Sequence, residues 1–583
     1  MPAKLVFLWP GGPSLTLGSY LISFKLLFAV VFIAWALGLL RAPCRAWLLG
    51  GCIGLASFAW LALDLPLQRP YGVDDGLPGL FELAQPMVAA SRASSAESWM
   101  VGQENPRAFW SFLLALASGF DPSRLLALYP WIPLVSLVFL VLALDWGLAR
   151  IAGGDPQEPS AVAQPRSRRS DRDGGGAPAR QEEPGIARAL AVFFVLFLGS
   201  DQLSVQHAAG PLWPRVLWLE PRVACALGVL AAHLRLLGSA KRALDLLLAS
   251  ASLALVFWLD PRLGGCALGG GLLWLALWRG SGPRWKPAFS LALGAALGLG
   301  WWSQAGLMPA KISQEVGSWG FVARQVLSLS RHGGLVFVLG VLGVVRMSRS
   351  QDRCEGLMAG LVASGALLWS VASLSSRAAG IVDLRLMDTY LRALLAAVAG
   401  LEAHRRLAAL QSKIDAAPEA RRVSLALCIG LALPWSFPYW WHPVRFDSTY
   451  VRSLTPISRQ VQALGDWIRG EVPGDAVFAA GQSYAAWIPA LTGRQVLLVE
   501  DGPTPRDVAS RRRAESWFIQ SQDPQRIRSA ARDWRITHLA WGRLDAESAV
   551  EMDYGFFESS PLFRKVWQQG RWVRVFALVP RLP

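Results

Sequence analysis

The sequence predicts an α-helical polytopic membrane protein of about twelve spans, followed by a C-terminal extracytoplasmic α/β domain. Three observations predict it: long apolar runs, a regular alternation of basic connections between them, and a change of periodicity near residue 439. Of 583 residues, 53% are hydrophobic and 17% charged, with a mean hydropathy of +0.34. A soluble protein would carry about 25% charged residues.

A hydrocarbon core of about 30 Å needs roughly 20 apolar residues per helix. That ruler places spans near 18–40, 46–63, 125–149, 188–204, 214–234 and 243–259. Further spans fall near 263–278, 288–303, 333–346, 355–373, 387–402 and 423–438. Basic residues then occupy every second connection: Arg41/Arg45, Arg166/Arg168/Arg169/Arg172, Lys241/Arg242, Arg284/Lys286, Arg346/Arg349/Arg353 and Arg405/Arg406/Lys413/Arg421/Arg422. The positive-inside rule puts these connections in the cytoplasm, and both termini outside a cell or inner membrane. The longest external loop, 64–124, has seven Asp+Glu against four Arg. Residues 152–186 are rich in Gly, Pro and Arg with almost no apolar content, a composition that reads as a disordered cytoplasmic linker. The membrane domain is therefore expected over 1–438.

From 439 to 583 the pattern changes to alternating helix and strand signals. "QVQALGDWIRGEV" puts Val461, Leu464, Trp467 and Ile468 on one helical face. "PGDAVFAA" reads as a turn into a strand, and "SYAAWIPALTG" as a segment capped by glycine. "RQVLLVE" reads as a strand, and "DPQRIRSAARDW" with "ITHLAWG" as helix then strand. "FRKVWQQGRWVRVFAL" is a hairpin turning at Gln569-Gly570.

Composition also excludes. The net charge of +16 lies mainly between the apolar runs, and from Trp441 onward there are 19 Lys+Arg against 15 Asp+Glu, which argues against a nucleic-acid partner. The six cysteines sit in spans or at their basic ends without a C-x-x-C, so neither a disulfide framework nor a thiolate metal site is expected. No Walker loop, no H-E-x-x-H and no G-x-S-x-G elbow occurs, and no nucleotide cofactor is expected. The run "LGGCALGGGLLWLALW" reads as close helix packing.

Candidate chemistry lies at the external helix ends. Asp74 and Asp75 in "YGVDDGLPGL" follow the second span. Adjacent carboxylates can accept a proton or hold a divalent cation such as magnesium or manganese, and an Asp-Asp-Gly turn is the structural alternative. Asp201 and His207 follow the fourth span, Asp260 and Arg262 stand in "FWLDPRLGG", and Asp383, Arg385, Asp388 and Arg392 stand in "GIVDLRLMDTYLRALL". Arginine clamps phosphate through two parallel hydrogen bonds, whereas an Asp383–Arg385 pair would be structural.

The layout resembles the GT-C superfamily of polytopic glycosyltransferases, which includes oligosaccharyltransferase catalytic subunits and protein mannosyltransferases. The carriers are the Asp74-Asp75 loop, "NPRAFWSFLLALASGFDPSRLLALYPWIPLVSLVFLVLAL", the outer hairpin "WLDPRLGG", "DLRLMDTYLRALLAAVAG" and the segment "LGDWIRGEVPGDAVFAAGQSYAAWIPALTGRQVLL". The resemblance implies transfer of a sugar from a polyprenyl-phosphate-linked donor to an envelope glycan, lipid or protein acceptor. It implies that Asp74 or Asp75 is base or metal ligand and that Arg385 contacts the lipid phosphate, with Asp201 and Arg262 as further substrate-binding candidates. Two features depart from the pattern: an extra helix before the acidic loop, and "SDQ" at Ser200–Gln202 in place of a second D-x-D. A flippase of lipid-linked sugars and a non-catalytic envelope assembly protein are the readings from other classes. The absence of internal repeats favours the enzyme over a transporter.

Overall fold

The computed structural model describes residues 103–104, 108–119, 132–152, 183–198, 221–240, 242–277, 283–305, 336–374, 384–413, 459–485, 487–497, 504–505, 508–519, 523–542, 554–569 and 573–579. Two compact units divide the chain: one contains 134–299 and 309–446, the other 64–133 and 447–583.

The described elements begin with β1 (Gln103–Glu104) and α1 (Ala108–Ala117), both in the second unit. The first unit is helical: α2 (Ile132–Gly147), α3 (Glu183–Phe193, continued by a π-helical turn Phe194–Leu198), α4 (Pro221–Ser239), α5 (Ala243–Leu259), α6 (Pro261–Ala276), α7 (Trp285–Ala305), α8 (Val336–Ser348), α9 (Arg353–Leu374) and α10 (Leu384–Lys413). A helix thus stands at each expected span that falls among the described residues. The spans expected at 18–40, 46–63 and 423–438 lie outside them. Among the described residues, α4 and α9 are by themselves long and apolar enough to cross a membrane, and α2, α3, α5 and α8 contain shorter apolar stretches. Large apolar side chains on the bundle's outside, such as Val135 (66% exposed), Leu244 (63%) and Leu277 (72%), would be costly in water and suit lipid.

Glycine sets the closest helix approaches. A Cβ on Gly360 would lie 2.5 Å from the Gly270 carbonyl oxygen, so α6 and α9 touch backbone to backbone. This is the packing expected of the glycine-rich run, and it is how membrane helices associate where water gives no hydrophobic drive. Helix boundaries run past the apolar segments. α4 continues to Ser239 because Arg235, inside its last turns, lays its guanidinium 4.6 Å from the Trp146 ring and donates to the Trp146 carbonyl at 2.7 Å. α10 continues to Lys413 because its charges are paired: Glu402 takes Arg346 at 3.1 Å and Arg406 at 2.9 Å, while Glu355 takes Arg346 at 3.2 Å and also Arg405. Several basic residues that the sequence assigns to topology are therefore counterions of buried carboxylates. Helix α3 begins at Glu183, inside the stretch expected as linker.

The second unit holds α11 (Arg459–Glu471), β2 (Val477–Ala480), α12 (Gln482–Ala485), α13 (Trp487–Thr492), β3 (Gln495–Val496), β4 (Thr504–Pro505), α14 (Val508–Ile519), α15 (Pro524–Asp533), β5 (His538–Gly542), α16 (Tyr554–Ser559), β6 (Phe563–Gln569) and β7 (Val573–Leu578). Strands order β3-β2-β5-β7-β6; β2 is parallel to β3 and β5, and β7 is antiparallel to β5 and β6. β1 pairs with β4 in a separate two-stranded ladder. In β2, Phe478 and Ala480 face Leu464, Ile468, Tyr484 and Ile488, while Val477 and Ala479 face Ala514, Phe518, Ile527 and Phe557. Both faces are buried, which is why this strand is a continuous apolar run. Gly493 closes α13 with φ 70°, the left-handed conformation glycine adopts without a Cβ penalty. α14 escapes sequence reading because "RRR" hides the Ala514, Trp517, Phe518 spacing.

His538 of β5 stacks on Phe478, ring centroids 5.0 Å apart, and burial pushes its pKa below the usual histidine value. The folded state therefore resists protonation. Its stabilising share is present above the unfolded-state value of about 6.5 and falls as pH drops below it. Thermal unfolding of the full chain between pH 7.5 and 5 is expected to lose less in His538→Phe than in the parent; an identical pH profile would remove His538 as the cause.

Candidate functional site

One residue joins α5 to α6. Asp260 has an extended backbone (φ −152°, ψ 113°), its N–H closes α5 on the Val256 carbonyl at 2.8 Å, and its carboxylate caps α6 by accepting from Arg262 N at 3.0 Å and Leu263 N at 3.4 Å. Pro261 fits the first helical position, where an N–H would have no intrahelical partner. "LDP" thus folds as a one-residue turn between two helices.

Two arginines converge on that carboxylate. Arg222, from the first turn of α4, lies 3.3 Å from Asp260 Oδ2 and donates to the Leu259 carbonyl at 3.2 Å; Arg262 lies 4.0 Å from the same oxygen. Asp260 is 0% exposed, Arg222 3%, and the Arg262 side chain 10%. The α10 helix enters beside them, with Cys266 Sγ 3.9 Å from Met387 Sδ and Tyr390 adjoining the Asp260 carboxylate. On α10 itself, Arg392 pairs with Asp388 at 2.7 Å. Two guanidiniums against one carboxylate leave an excess positive charge in surroundings that screen it weakly.

Of the residues singled out from sequence, Asp260 and Arg262 belong to this cluster, and Asp388 and Arg392 pair with each other on α10. Arg385 stands in the first turn of α10, five residues before Tyr390, about 7.5 Å along the helix axis. Its side chain lies outside the described residues, as do Asp74, Asp75, Asp201, His207 and Asp383. Arg222 and Tyr390 are additional. Arg222, in "LEPRVACALG", falls inside the span expected at 214–234, whereas the helix begins at Pro221 and puts it in the first turn. Among the described residues no group of three or more His, Cys, Asp or Glu could hold a metal ion.

The architecture recurs in solved structures. ArnT from Cupriavidus metallidurans in its apo state aligns over 91% of this chain and 97% of its own, at 10% identity and a TM-score of 0.50. The chain has the GT-C fold. ArnT from the same organism bound to undecaprenyl phosphate aligns with a TM-score of 0.49 at 11% identity, over 91% of this chain and 97% of its own. The Archaeoglobus fulgidus oligosaccharyltransferase tethered to an acceptor peptide gives 0.45 at 12% identity, over 85% and 69% of the two chains. No family model and no curated protein matches the sequence. Within the GT-C fold, the Arg222–Asp260–Arg262 cluster marks one end of the bundle as a place where buried cationic groups gather.

Proposed function

We propose that the chain is a GT-C membrane glycosyltransferase that moves a sugar from a polyprenyl-phosphate-linked donor to an envelope glycan, lipid or protein. The observation that carries the reading is the fold match along almost the whole length of both chains, 91% and 97%. The chemistry supports it. Such a transfer needs a base for the acceptor hydroxyl and cationic groups for the departing phosphate, and it needs no ATP because the donor is already activated. Asp74 or Asp75 is the proposed base, and this pair would hold a divalent cation if the reaction uses one. Arg385 and Arg262 are proposed to face the phosphate, with Asp201 as a further substrate contact.

The test is turnover of the full chain in nanodiscs supplied with a lipid extract from its own host. Mass spectrometry is expected to show loss of one lipid-linked sugar and a matching rise of the sugar-free polyprenyl phosphate. Intact lipid-linked sugar that only changes leaflet would make the protein a flippase instead.

The active face is proposed to be extracytoplasmic, with 439–583 on that side. Reporters active only outside or only inside, fused at Gly502 and Gly175, are expected to give outside and inside signals respectively; cytoplasmic activity at Gly502 would overturn the topology. For Arg385, replacement by Lys keeps the charge and loses the fork geometry. Affinity for undecaprenyl phosphate is expected to fall about tenfold in Arg385→Lys, the worth of roughly one charged hydrogen bond. Unchanged affinity in both Arg385→Lys and Arg385→Ala would eliminate the clamp.

A further inference from the structure

Helix α15 turns its apolar side inward, with Ile527 and Ala530 fully buried in the core on one face of the sheet. Its outer side is basic. Arg528 and Arg532 are exposed one turn apart, about 6 Å along the axis, and exposed Arg535 follows three residues later. Among the described residues, none of these three guanidiniums has an ion pair or a hydrogen bond. The nearby carboxylates of the same segment are engaged elsewhere. Asp523 accepts from Gln525 N at 2.9 Å and pairs with Arg526 at 3.3 Å, and Asp533 accepts from Ser529 Oγ at 3.2 Å.

The row is kept against local stability. Like charges one turn apart on a helix repel. Arg535 stands where α15 closes, with its N–H donating to the Arg532 carbonyl at 3.3 Å and Ile536 N–H to the Ala531 carbonyl at 2.8 Å. Its φ of 54° is the left-handed conformation that glycine usually supplies at this position, and among the described residues it is the one non-glycine with a positive φ. The helix dipole welcomes a cation at 532 and 535, but Arg528, in the middle of α15, gains nothing from it.

We infer that this row is a docking surface for a polyanionic glycan, a sugar polymer that carries carboxylate or phosphate along its length. The inference rests on the glycosyltransferase reading and deepens it by giving the acceptor a negative charge. Guanidiniums offer paired hydrogen bonds to either anion. Three cations in file suit a chain of anions, whereas a single phosphate needs donors that converge on it. A lipid surface is the poorer match, because a helix that settles on a membrane buries an apolar face there, and that face of α15 is already in the core.

The test is binding by the full chain in phosphatidylcholine nanodiscs, titrated with polygalacturonate and with uncharged dextran of matched length. The parent is expected to bind polygalacturonate and not dextran. Affinity should fall about threefold in Arg528→Gln, and about threefold again when Arg532→Gln is added, the middle of the range for exposed ion pairs. Arg535→Gly should weaken binding by a similar factor while the unfolding temperature holds or rises, a combination that a merely structural arginine would not give. Arg469→Gln is the matched-charge control, since it removes one cation from α11, on the opposite face of the sheet. An equal loss in Arg469→Gln would reduce the effect to net charge and overturn the surface, as would parent-level affinity in the Arg528→Gln, Arg532→Gln double variant. Phosphatidylglycerol vesicles that displace polygalacturonate as well as the polymer itself does, charge for charge, would make the occupant a membrane and overturn the glycan. Binding needs no turnover, so this surface and the transferase reading can each fail alone.

Discussion

Asp74→Asn and Asp75→Asn are expected to reduce sugar transfer by about 10²- to 10⁴-fold in whichever position holds the base, the range general-base catalysis supplies. The carboxamide keeps the shape of the carboxylate and removes its basicity, so expression and membrane insertion should not change. The readout is release of polyprenyl phosphate from lipid-linked sugar by the full chain in nanodiscs. The two single variants also separate a base from a turn. A base residue loses turnover with undecaprenyl-phosphate affinity intact, whereas a turn residue leaves turnover near the parent value, since Asn serves in turns nearly as well as Asp. Parent-level turnover in both singles and in the double variant would assign "DDG" to the turn.

Asp260→Asn is expected to have the largest effect on stability. The substitution keeps a side chain able to cap α6 and removes the charge between Arg222 and Arg262, leaving two guanidiniums facing each other in a site where Asp260 is 0% exposed. Removing one partner of a buried ion pair costs about 3–5 kcal/mol because the remaining charge is uncompensated. For a membrane bundle this would appear as a lower unfolding temperature in detergent and a lower yield of monodisperse protein. The double variant Asp260→Asn with Arg222→Met, which takes away one cation along with the anion, should recover much of the loss, since a pair replaced by apolar packing is often near neutral. An Asp260→Asn protein as stable as the parent would mean that another group compensates both arginines.

How far these features were legible depended on which physical signal each one leaves. The membrane helices announce themselves through apolar length, and α5 occupies residues 243–259 as expected from its run alone. Their ends do not, because a helix continues wherever its charges find partners. Arg235 reaches the Trp146 ring, and Glu402 neutralises Arg346 and Arg406. Periodicity and turn residues located β2, β5 and the β6–β7 hairpin of the second unit. It did not locate the β1–β4 ladder, which joins two-residue strands from residues 103–104 and 504–505 and has no local signature. The site shows the same division. Arg262 was visible as a charge at a span's mouth, but its partnership with Arg222, from a different helix and 40 positions earlier, exists only once α4 packs against the α5–α6 turn. Nothing local in "DLRLMDTY" reveals that Tyr390 adjoins Asp260.

The most direct measurement is a cryo-electron-microscopy structure of the full chain in nanodiscs containing undecaprenyl phosphate. The account predicts phosphate density at the α5–α6 end of the bundle, within hydrogen-bond distance of the Arg262 or Arg385 guanidinium, with the acyl chain leading away along the helices. Phosphate density confined to the opposite end, or lipid ordered only along its acyl chain with no cationic group at its head, would contradict it.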